Sequence, residues 1–300
     1  MGDTTPPNRG AILITGASTG IGRATALLLD QAGYSVFAGV RKSQDAARLH
    51  NEASVRLCPL TLDITDQAQI HAAAAATRER LGPEGGLKAL VNNAGIAEAG
   101  PIELIAVDRL RRQLEVNLVG HVAVIQAFLP LVRQGHGRII NVGSAAADWP
   151  MPFVGAYAAS KSALRSMSMA LRRELWWSGI PVTLILGGIV QSAIWDDAEI
   201  QLETTRREDT QGRYFELMET LYRVLQPSLQ KAPPPSVIAK AIKKALEARR
   251  PRAVYRCGPG AHFAVIGNLL PETLFHRALE WAVKRHRREA QKNAPGGGRG

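Results

Sequence analysis

Tyr157 and Lys161 stand four residues apart in the segment YAASK, a spacing that on a helix places both side chains on one face a turn apart. A free tyrosine titrates at about 10, and an adjacent ammonium lowers that value. The pair can therefore give a proton to an oxygen held beside it, or take one back. Ser144 lies just past the apolar run GRIINV. That puts its hydroxyl at the carboxyl end of a strand, where open α/β sheets bind ligands, able to hydrogen-bond a substrate oxygen and stabilise developing negative charge. A different chemistry is spelled near the N-terminus by TGASTGIG, whose Gly16, Gly20 and Gly22 are spaced G-x-x-x-G-x-G. Between a strand and a helix, such a turn lets backbone N–H groups approach a pyrophosphate at the positive end of the helix dipole. The spacing departs from the G-x-G-x-x-G of the standard dinucleotide fingerprint.

These groups can meet only if the chain delivers them to one edge of a sheet, and the order of elements does so. An apolar strand at 11–14 runs into the glycine turn, and 23–33 has helical periodicity ending at Gly33. Strands at 35–40 and 55–62 follow, the second ending on Asp63. An Ala-rich helix at 70–81, a strand at 89–92, a helix centred on 110–132, a strand at 138–142, a helix at 157–177 and a strand at 182–186 continue the alternation. Apolar strands alternating with helices predict a parallel sheet covered on both faces, a single doubly wound α/β domain of the Rossmann type over 10–260. Past Gly188 the rhythm breaks. Residues 193–232 are rich in charge and aromatics and are closed by Pro233-Pro234-Pro235, which predicts an inserted helical flap over the substrate. A helix at 236–248 and a strand at 253–256 return to the sheet, 261–290 form a basic extension with an amphipathic helix at 272–289, and 291–300 form a flexible tail.

Together these motifs resemble a known family. TGASTGIG, NNAG at 92–95, Asn117 in VNLVG, Ser144 and the Tyr157/Lys161 segment are similar, in order and spacing over roughly 10–193, to the signature of the short-chain dehydrogenases/reductases. PRAVYRCGPGAH and the later LLPETL resemble, more weakly, the steroid and retinol dehydrogenase subgroup. The resemblance implies an oxidoreductase moving a hydride between nicotinamide and an alcohol or carbonyl carbon. Asn117, Ser144, Tyr157 and Lys161 are then the catalytic set, with Tyr157 as the acid/base, Lys161 also binding the nicotinamide ribose, and Asn117 holding a water that connects Lys161 to solvent. It implies cofactor contacts from Gly16, Ser18, Thr19, Gly20, Ile21 and Gly22 in the turn, from Asp63 to adenine, and from Asn93, Ala94, Gly95, Gly188, Ile189 and Ser192. The family usually has Pro-Gly after the strand at 182–186, then a threonine four residues beyond that glycine; here Gly187-Gly188 and Ser192 stand there, which predicts a more mobile loop that keeps a hydroxyl.

The cofactor's 2′ position is read at the end of the second strand. Selection of NAD needs a carboxylate there for the ribose hydroxyl, whereas NADP needs its absence and a base for the phosphate. Val40 occupies the position, followed by Arg41 and Lys42, so NADP(H) is expected, with NAD(H) as the weaker alternative. The family's other basic marker is replaced by Thr19. Apolar groups of the loop after Ser144, Trp149, Met151 and Phe153, and of the flap, Ile194, Trp195, Leu217, Met218, Leu221 and Tyr222, predict a rim for a bulky lipophilic substrate, with Trp149, Phe153 and Trp195 as its contacts.

The bulk properties set the remaining bounds. With 46% apolar and 21% charged residues in 300, a folded protein with a large core is expected. Cys58 and Cys257 lie far apart without nearby histidine spacing, which argues against a disulfide framework or a metal site and for a reducing compartment. Without a secretory pattern or a long apolar run, a cytoplasmic enzyme is expected. The net charge of +11 is concentrated: from Lys240 onward there are fourteen Lys/Arg against four Glu. That end is read as a solvated helix face, not a nucleic-acid site. Packing of the helix at 272–289 on the domain or another subunit is preferred over peripheral contact with an anionic membrane. The resemblance further implies a homodimer or homotetramer built on the helices near 110–132 and 157–177. The competing reading is a non-catalytic NADP(H)-sensing or membrane-associated binding protein on the same fold; an intact Ser144, Tyr157 and Lys161 argue against a sensor.

Overall fold

The computed structural model describes residues 9–191, 198–267 and 269–293. Seven strands, β1 (Ala11–Ile14), β2 (Ser35–Val40), β3 (Leu57–Thr61), β4 (Leu87–Asn92), β5 (Arg138–Ser144), β6 (Val182–Gly187) and β7 (Val254–Cys257), form one sheet in the order β3-β2-β1-β4-β5-β6-β7. Every pairing is parallel. Successive strand residues point to opposite faces, and here both faces are covered. Ile12 and Ile14 belong to one core cluster while Leu13 between them belongs to the other. That is why the strands read as unbroken apolar runs, the mark of a doubly covered parallel sheet. The strand order reverses between β1 and β4, so the crevice at their carboxyl ends is where a doubly wound sheet binds its ligand.

Helices α1 (Gly20–Gln31), α2 (Ser43–Glu52) and α9 (Ser236–Glu247) cover one face, burying Ala26, Leu29, Leu49, Ile238 and Ile242. Helices α3 (Gln67–Leu81), α4 (Val107–Leu114), α5 (Gly120–Gln134) and α6 (Gly155–Glu174) lie on the other side, where Ile70, Val124, Phe128 and Leu131 are buried. Helix α2 has no counterpart in the sequence reading: it is polar, and Leu49 is its sole buried residue. The third strand starts at Leu57 rather than 55, since Val55 is 84% exposed and belongs to the preceding turn. Helices α4 and α5 are joined by a π-helical turn, Glu115–Val119, into a continuous stretch, Val107–Gln134, that by length and composition could cross a membrane. Its apolar side instead covers the sheet, with Val124 and Phe128 fully buried.

The segment after β6 holds α7 (Ala198–Glu208) and α8 (Phe215–Gln230). It is tied to the loop between β4 and α4 at two places. The Gln201 amide accepts from Ala99 N at 3.0 Å and donates to Ala97 O at 2.9 Å, and Arg213 and the Tyr214 hydroxyl both reach the Glu103 carboxylate. The expected inward face of Leu217, Met218, Leu221 and Tyr222 sits on α8. There Met218 and Leu221 are buried, and α8 packs against α7 and against α11 (Glu272–Asn293), which follows the short α10 (Phe263–Gly267). Helix α7, not α8, is therefore the part of the flap that reaches the crevice. Ile194, Trp195 and Ser192 lie outside the described residues.

Candidate active site

The glycine turn owes its conformation to close approaches. Gly16 has φ +66°, and a Cβ there would lie 2.7 Å from Ala94 Cα; a Cβ on Gly22 would lie 2.1 Å from Gly16 O. No side chain fits at either place, so the turn presses flat against the segment after β4 and α1 starts beside it with no side-chain cap from Thr19. Its first N–H groups remain available to an anion. Thr15, the first residue of TGASTGIG, fastens the two segments: its buried hydroxyl accepts from Asn93 N at 3.0 Å and Ala94 N at 3.1 Å. Asn93 answers with Nδ2 donations to Thr15 O and Gly16 O.

A cleft of about 1150 Å³ opens above this turn. It is lined by Gly16, Ser18, Thr19, Gly20, Ile21, Arg41, Asp63, Asn93, Ala94, Gly95, Tyr157 and Lys161, all singled out by sequence, together with Val40, Ile96, Val142, Gly143 and, from α7, Ile200, Gln201, Thr204 and Glu208. Among the described residues Arg41 forms no ion pair, while Arg48 of α2 pairs with Asp45 and donates to Ser18 O at 2.8 Å. Asp45, the acid in the first turn of α2, is thus already paired. One Asp63 carboxylate oxygen accepts from the Thr65 N and Oγ1, and Asp66 rather than Asp63 caps α3. Lys42 is exposed at the start of α2. Gly188 and Ile189, just past β6, are not among the residues that line the cleft; Gly188 N donates to Cys257 O, Ile189 N to Pro259 O and Gln191 N to Pro233 O. Three backbone ties hold this segment, so the loop expected to loosen for want of a proline is pinned as far as Gln191.

At the inner end stand the candidate proton-transfer groups. Tyr157 and Lys161 lie one turn apart on α6, with Lys161 Nζ 5.8 Å from the Tyr157 ring centre and donating to Val142 O at 3.2 Å. Ser144 ends β5, its hydroxyl accepting from Ala146 N. Burial pushes the Tyr157 phenol above its ordinary value, and a hydrogen bond with Ser144 draws it back. Lys161, 4% exposed, is brought down by burial to about 8. In the protein alone, desolvation therefore outweighs the ammonium's pull on the phenol that the sequence suggests.

The Asn117 amide is held by three hydrogen bonds. Its Nδ2 donates to Ile96 O at 2.9 Å and Ser160 Oγ at 3.0 Å, and its Oδ1 accepts from Ile96 N at 2.9 Å. Ser160 Oγ donates in turn to Tyr157 O. The side chain thus ties the cleft wall at Ile96 to the helix bearing Tyr157, from a π-helical turn of the kind that gathers at functional sites. Both Nδ2 protons are committed, while Oδ1 accepts one hydrogen bond of the two it can take, so the water relay that the resemblance implies keeps an acceptor at this amide. His121, one turn on, is fully buried and held neutral, its pKa lowered by burial to about 3; Nε2 donates to Ala94 O at 2.7 Å. The substrate contacts separate. Phe153, with φ +67°, stacks edge-on against Tyr214 of the flap while its carbonyl accepts from Gly100 N at 2.7 Å. Trp149 turns away from the cleft: its ring meets Phe275 edge-on at 5.6 Å and lies under Gly267.

Lys161 carries a consequence for stability. Its native pKa lies below the unfolded value of 10.5, so the unfolded state holds more protons between the two values and stability rises with pH across that window. At pH 7 the buried charge costs the native state roughly 3 kcal/mol by the linkage relation. Lys161→Met should therefore stabilise the cofactor-free protein in urea unfolding at pH 7 by up to about 3 kcal/mol, less the lost bond to Val142 O. The gain should shrink from pH 8 upward, and a destabilised variant would show that burial of the ammonium is already compensated.

Comparison with known proteins agrees with this geometry. The family model described as short chain dehydrogenase matches residues 10–203. Mouse estradiol 17-beta-dehydrogenase 2 is 35% identical over 296 residues, covering 94% of this chain and 76% of that protein. The NADPH-dependent 3-dehydrocapnine reductase of Ornithobacterium rhinotracheale is 30% identical over 284 residues, covering 93% and 99%. The crystal structure of a short-chain dehydrogenase from Streptomyces avermitilis superposes with a TM-score of 0.70 at 24% identity, over 98% of this chain and 100% of that one. With the seven-stranded parallel sheet and the Tyr157, Lys161 and Ser144 grouping, these matches establish that the chain belongs to the short-chain dehydrogenase/reductase family of oxidoreductases.

Proposed function

We propose that the protein is an NADP(H)-dependent oxidoreductase that interconverts a secondary alcohol and a ketone, or a primary alcohol and an aldehyde, on a lipophilic substrate. The observation that carries the reading is the hydrogen-bonded Tyr157 and Ser144 beside a buried Lys161 at the inner end of a cleft that begins at the glycine turn. The residues fit the dinucleotide. Gly16 and Gly22 keep the turn free of side chains, the uncapped start of α1 would receive the pyrophosphate, and Asp63 lies where adenine would be held. Arg41 would take the 2′-phosphate, and Val40 leaves no carboxylate to oppose it. When bound, NADP(H) supplies or accepts the hydride. The NADPH dependence of the 3-dehydrocapnine reductase supports this choice of cofactor.

In reduction, Tyr157 Oη gives its proton to the carbonyl oxygen, and in oxidation it takes the proton back. Ser144 Oγ orients that oxygen and stabilises its charge as it develops. Burial keeps Tyr157 protonated across neutral pH, which suits it to the donor role. Lys161 would hold the nicotinamide ribose and offset the charge that forms on the phenol. Asn117 is a positioning residue: it fixes Ile96 and, through Ser160, the backbone of Tyr157. The proposal includes a cytoplasmic enzyme assembling as a homodimer or homotetramer. Free, half-buried cysteines support a reducing compartment, with the Cys257 thiol pushed up to about 11 by burial and so unreactive.

The lipophilic substrate is supported by the estradiol named for the mouse relative and by Ile96, Val142 and Ile200 around the inner cleft. With NADPH, kcat/KM should rise along a series of ketones of increasing apolar size, from small aliphatic ketones to steroids. Ile200→Ala should flatten the series by roughly tenfold at its large end, the scale of a large apolar side chain lost from a contact. A clear preference for small polar carbonyls would reject the lipophilic assignment.

A further inference from the structure

The C-terminal extension presents more apolar surface than its packing uses. Helix α11 has two faces. Phe275, Leu279, Ala282 and Val283 are half-buried along one of them, where α11 meets α8 and Phe275 meets Trp149. Close contact fixes this seat, since a Cβ on Gly267 would lie 2.7 Å from the Trp149 ring. So the helix does pack on the domain, as its periodicity predicts, and the packing explains only that stripe. A second stripe stays in water. Leu274 and Trp281 are 50% and 63% exposed on α11, and ahead of them Leu269 and Leu270 are 79% and 52% exposed, with Phe263 and Ile266 of α10 at 71% and 55%. Six large apolar side chains exposed within one twenty-residue segment are the kind of surface that serves interaction.

The charges around the stripe identify what covers it. Arg277, Lys284 and Arg285 are exposed on the same helix, and the Arg285 guanidinium lies over the Trp281 ring at 5.5 Å. Over the extension itself, 261–300, the balance is seven Lys/Arg against three Glu, of which Glu280 pairs with Lys284. A second copy meeting this face would bring the same excess of positive charge against it, which opposes self-association. An anionic surface is complementary. Exposed leucines at a helix junction, a tryptophan partway along the helix and basic side chains beside it are the components of a helix lying in a bilayer interface. We propose that α10 and α11 form a docking surface for an anionic lipid bilayer, seated in the plane of the membrane through Phe263, Ile266, Leu269, Leu270, Leu274 and Trp281. Trp149, five residues after Ser144, ties this surface to the loop beside the proton-transfer groups, so a docked enzyme holds its cleft at the phase where a lipophilic substrate collects. The docking itself does not depend on what the cleft reduces.

Co-sedimentation of the full chain with vesicles tests it directly. The protein should bind vesicles containing phosphatidylglycerol, bind pure phosphatidylcholine vesicles far less, and be released as salt rises. Leu274→Ser/Trp281→Ser should lower the partition coefficient by at least about tenfold, the scale of removing one large buried apolar side chain, and so should Arg277→Gln/Lys284→Gln/Arg285→Gln. Both variants should keep the thermal unfolding profile of the parent and its turnover of a water-soluble carbonyl, since the altered side chains are exposed. Absence of vesicle binding, or binding indifferent to anionic lipid and salt, would overturn the proposal. So would a concentration-dependent dimer in analytical ultracentrifugation that Leu274→Ser/Trp281→Ser dissociates, because it would assign the stripe to a second copy.

Discussion

Tyr157→Phe is expected to lower turnover by at least about a hundredfold, the low end for loss of general acid–base catalysis, while NADPH binding persists. The substitution removes one oxygen and keeps the ring, so the cleft wall and the seat of Lys161 are preserved. What disappears is the proton donor and its hydrogen bond with Ser144. The effect should fall on kcat and kcat/KM together, because a group acting on the reacting oxygen is felt in the transition state. Steady-state kinetics with a ketone and NADPH, with cofactor binding followed by fluorescence, separate the two steps. Near-normal turnover with intact binding would remove Tyr157 from the chemistry.

The second large effect is a change of cofactor. Val40→Asp combined with Arg41→Ser should move the kcat/KM ratio toward NADH by at least about a hundredfold. The new carboxylate accepts from a ribose hydroxyl and repels a phosphate, while the loss of Arg41 removes a charge-assisted contact, each counting for roughly tenfold or more. The geometry adds a cost that sequence alone does not reveal. Val40 is the last residue of β2 and only 2% exposed, so an aspartate there is buried and unpaired until a ribose hydroxyl meets it. The cofactor-free variant should lose about 1–3 kcal/mol of stability, and NADH should restore it more than NADPH does. Equal use of NADH and NADPH by the parent protein would show that Arg41 does not read the 2′-phosphate.

Much of this architecture is legible from sequence because a doubly covered parallel sheet writes itself plainly: strands buried on both faces leave apolar runs such as ILI at 12–14 and ALV at 89–91. The residues of the cleft floor are equally plain, since Gly16, Gly22, Tyr157 and Lys161 are fixed by local turn geometry and helical spacing. What stays hidden depends on contacts between distant segments. Helix α2 is a polar ten-residue helix that buries a single leucine, too little apolar surface to announce it. His121 carries no motif, and Thr15 opens TGASTGIG without its role being visible there, yet both fasten the segment from Asn93 to Ala94 to its neighbours. The π-helical turn at Asn117 inserts into an otherwise regular pattern without a proline or glycine break at that residue.

The rim shows the opposite error. Trp149 and the apolar residues of α8 have the composition of a pocket wall, and the chain spends them on seating α11. Composition tells which side chains avoid water but not which partner covers them. Helix α7, with Gln201, Thr204 and Glu208 facing the cleft, reads as an ordinary polar helix until its position over the crevice is known. Gln201 stands out only in three dimensions, where one amide clasps both Ala97 and Ala99.

The central claim is that this cleft passes a hydride between NADPH and a lipophilic carbonyl with Tyr157 as proton donor. Incubating the protein with NADPH deuterated at both C4 positions of the nicotinamide and a panel of steroid, retinoid, aliphatic and aromatic carbonyls, followed by mass spectrometry of the products, tests it most directly. The account predicts that the label appears on the carbinol carbon of the lipophilic products, on one face only, and that Tyr157→Phe nearly abolishes the transfer. Unlabelled products across the panel, or transfer that proceeds equally well in Tyr157→Phe, would contradict it.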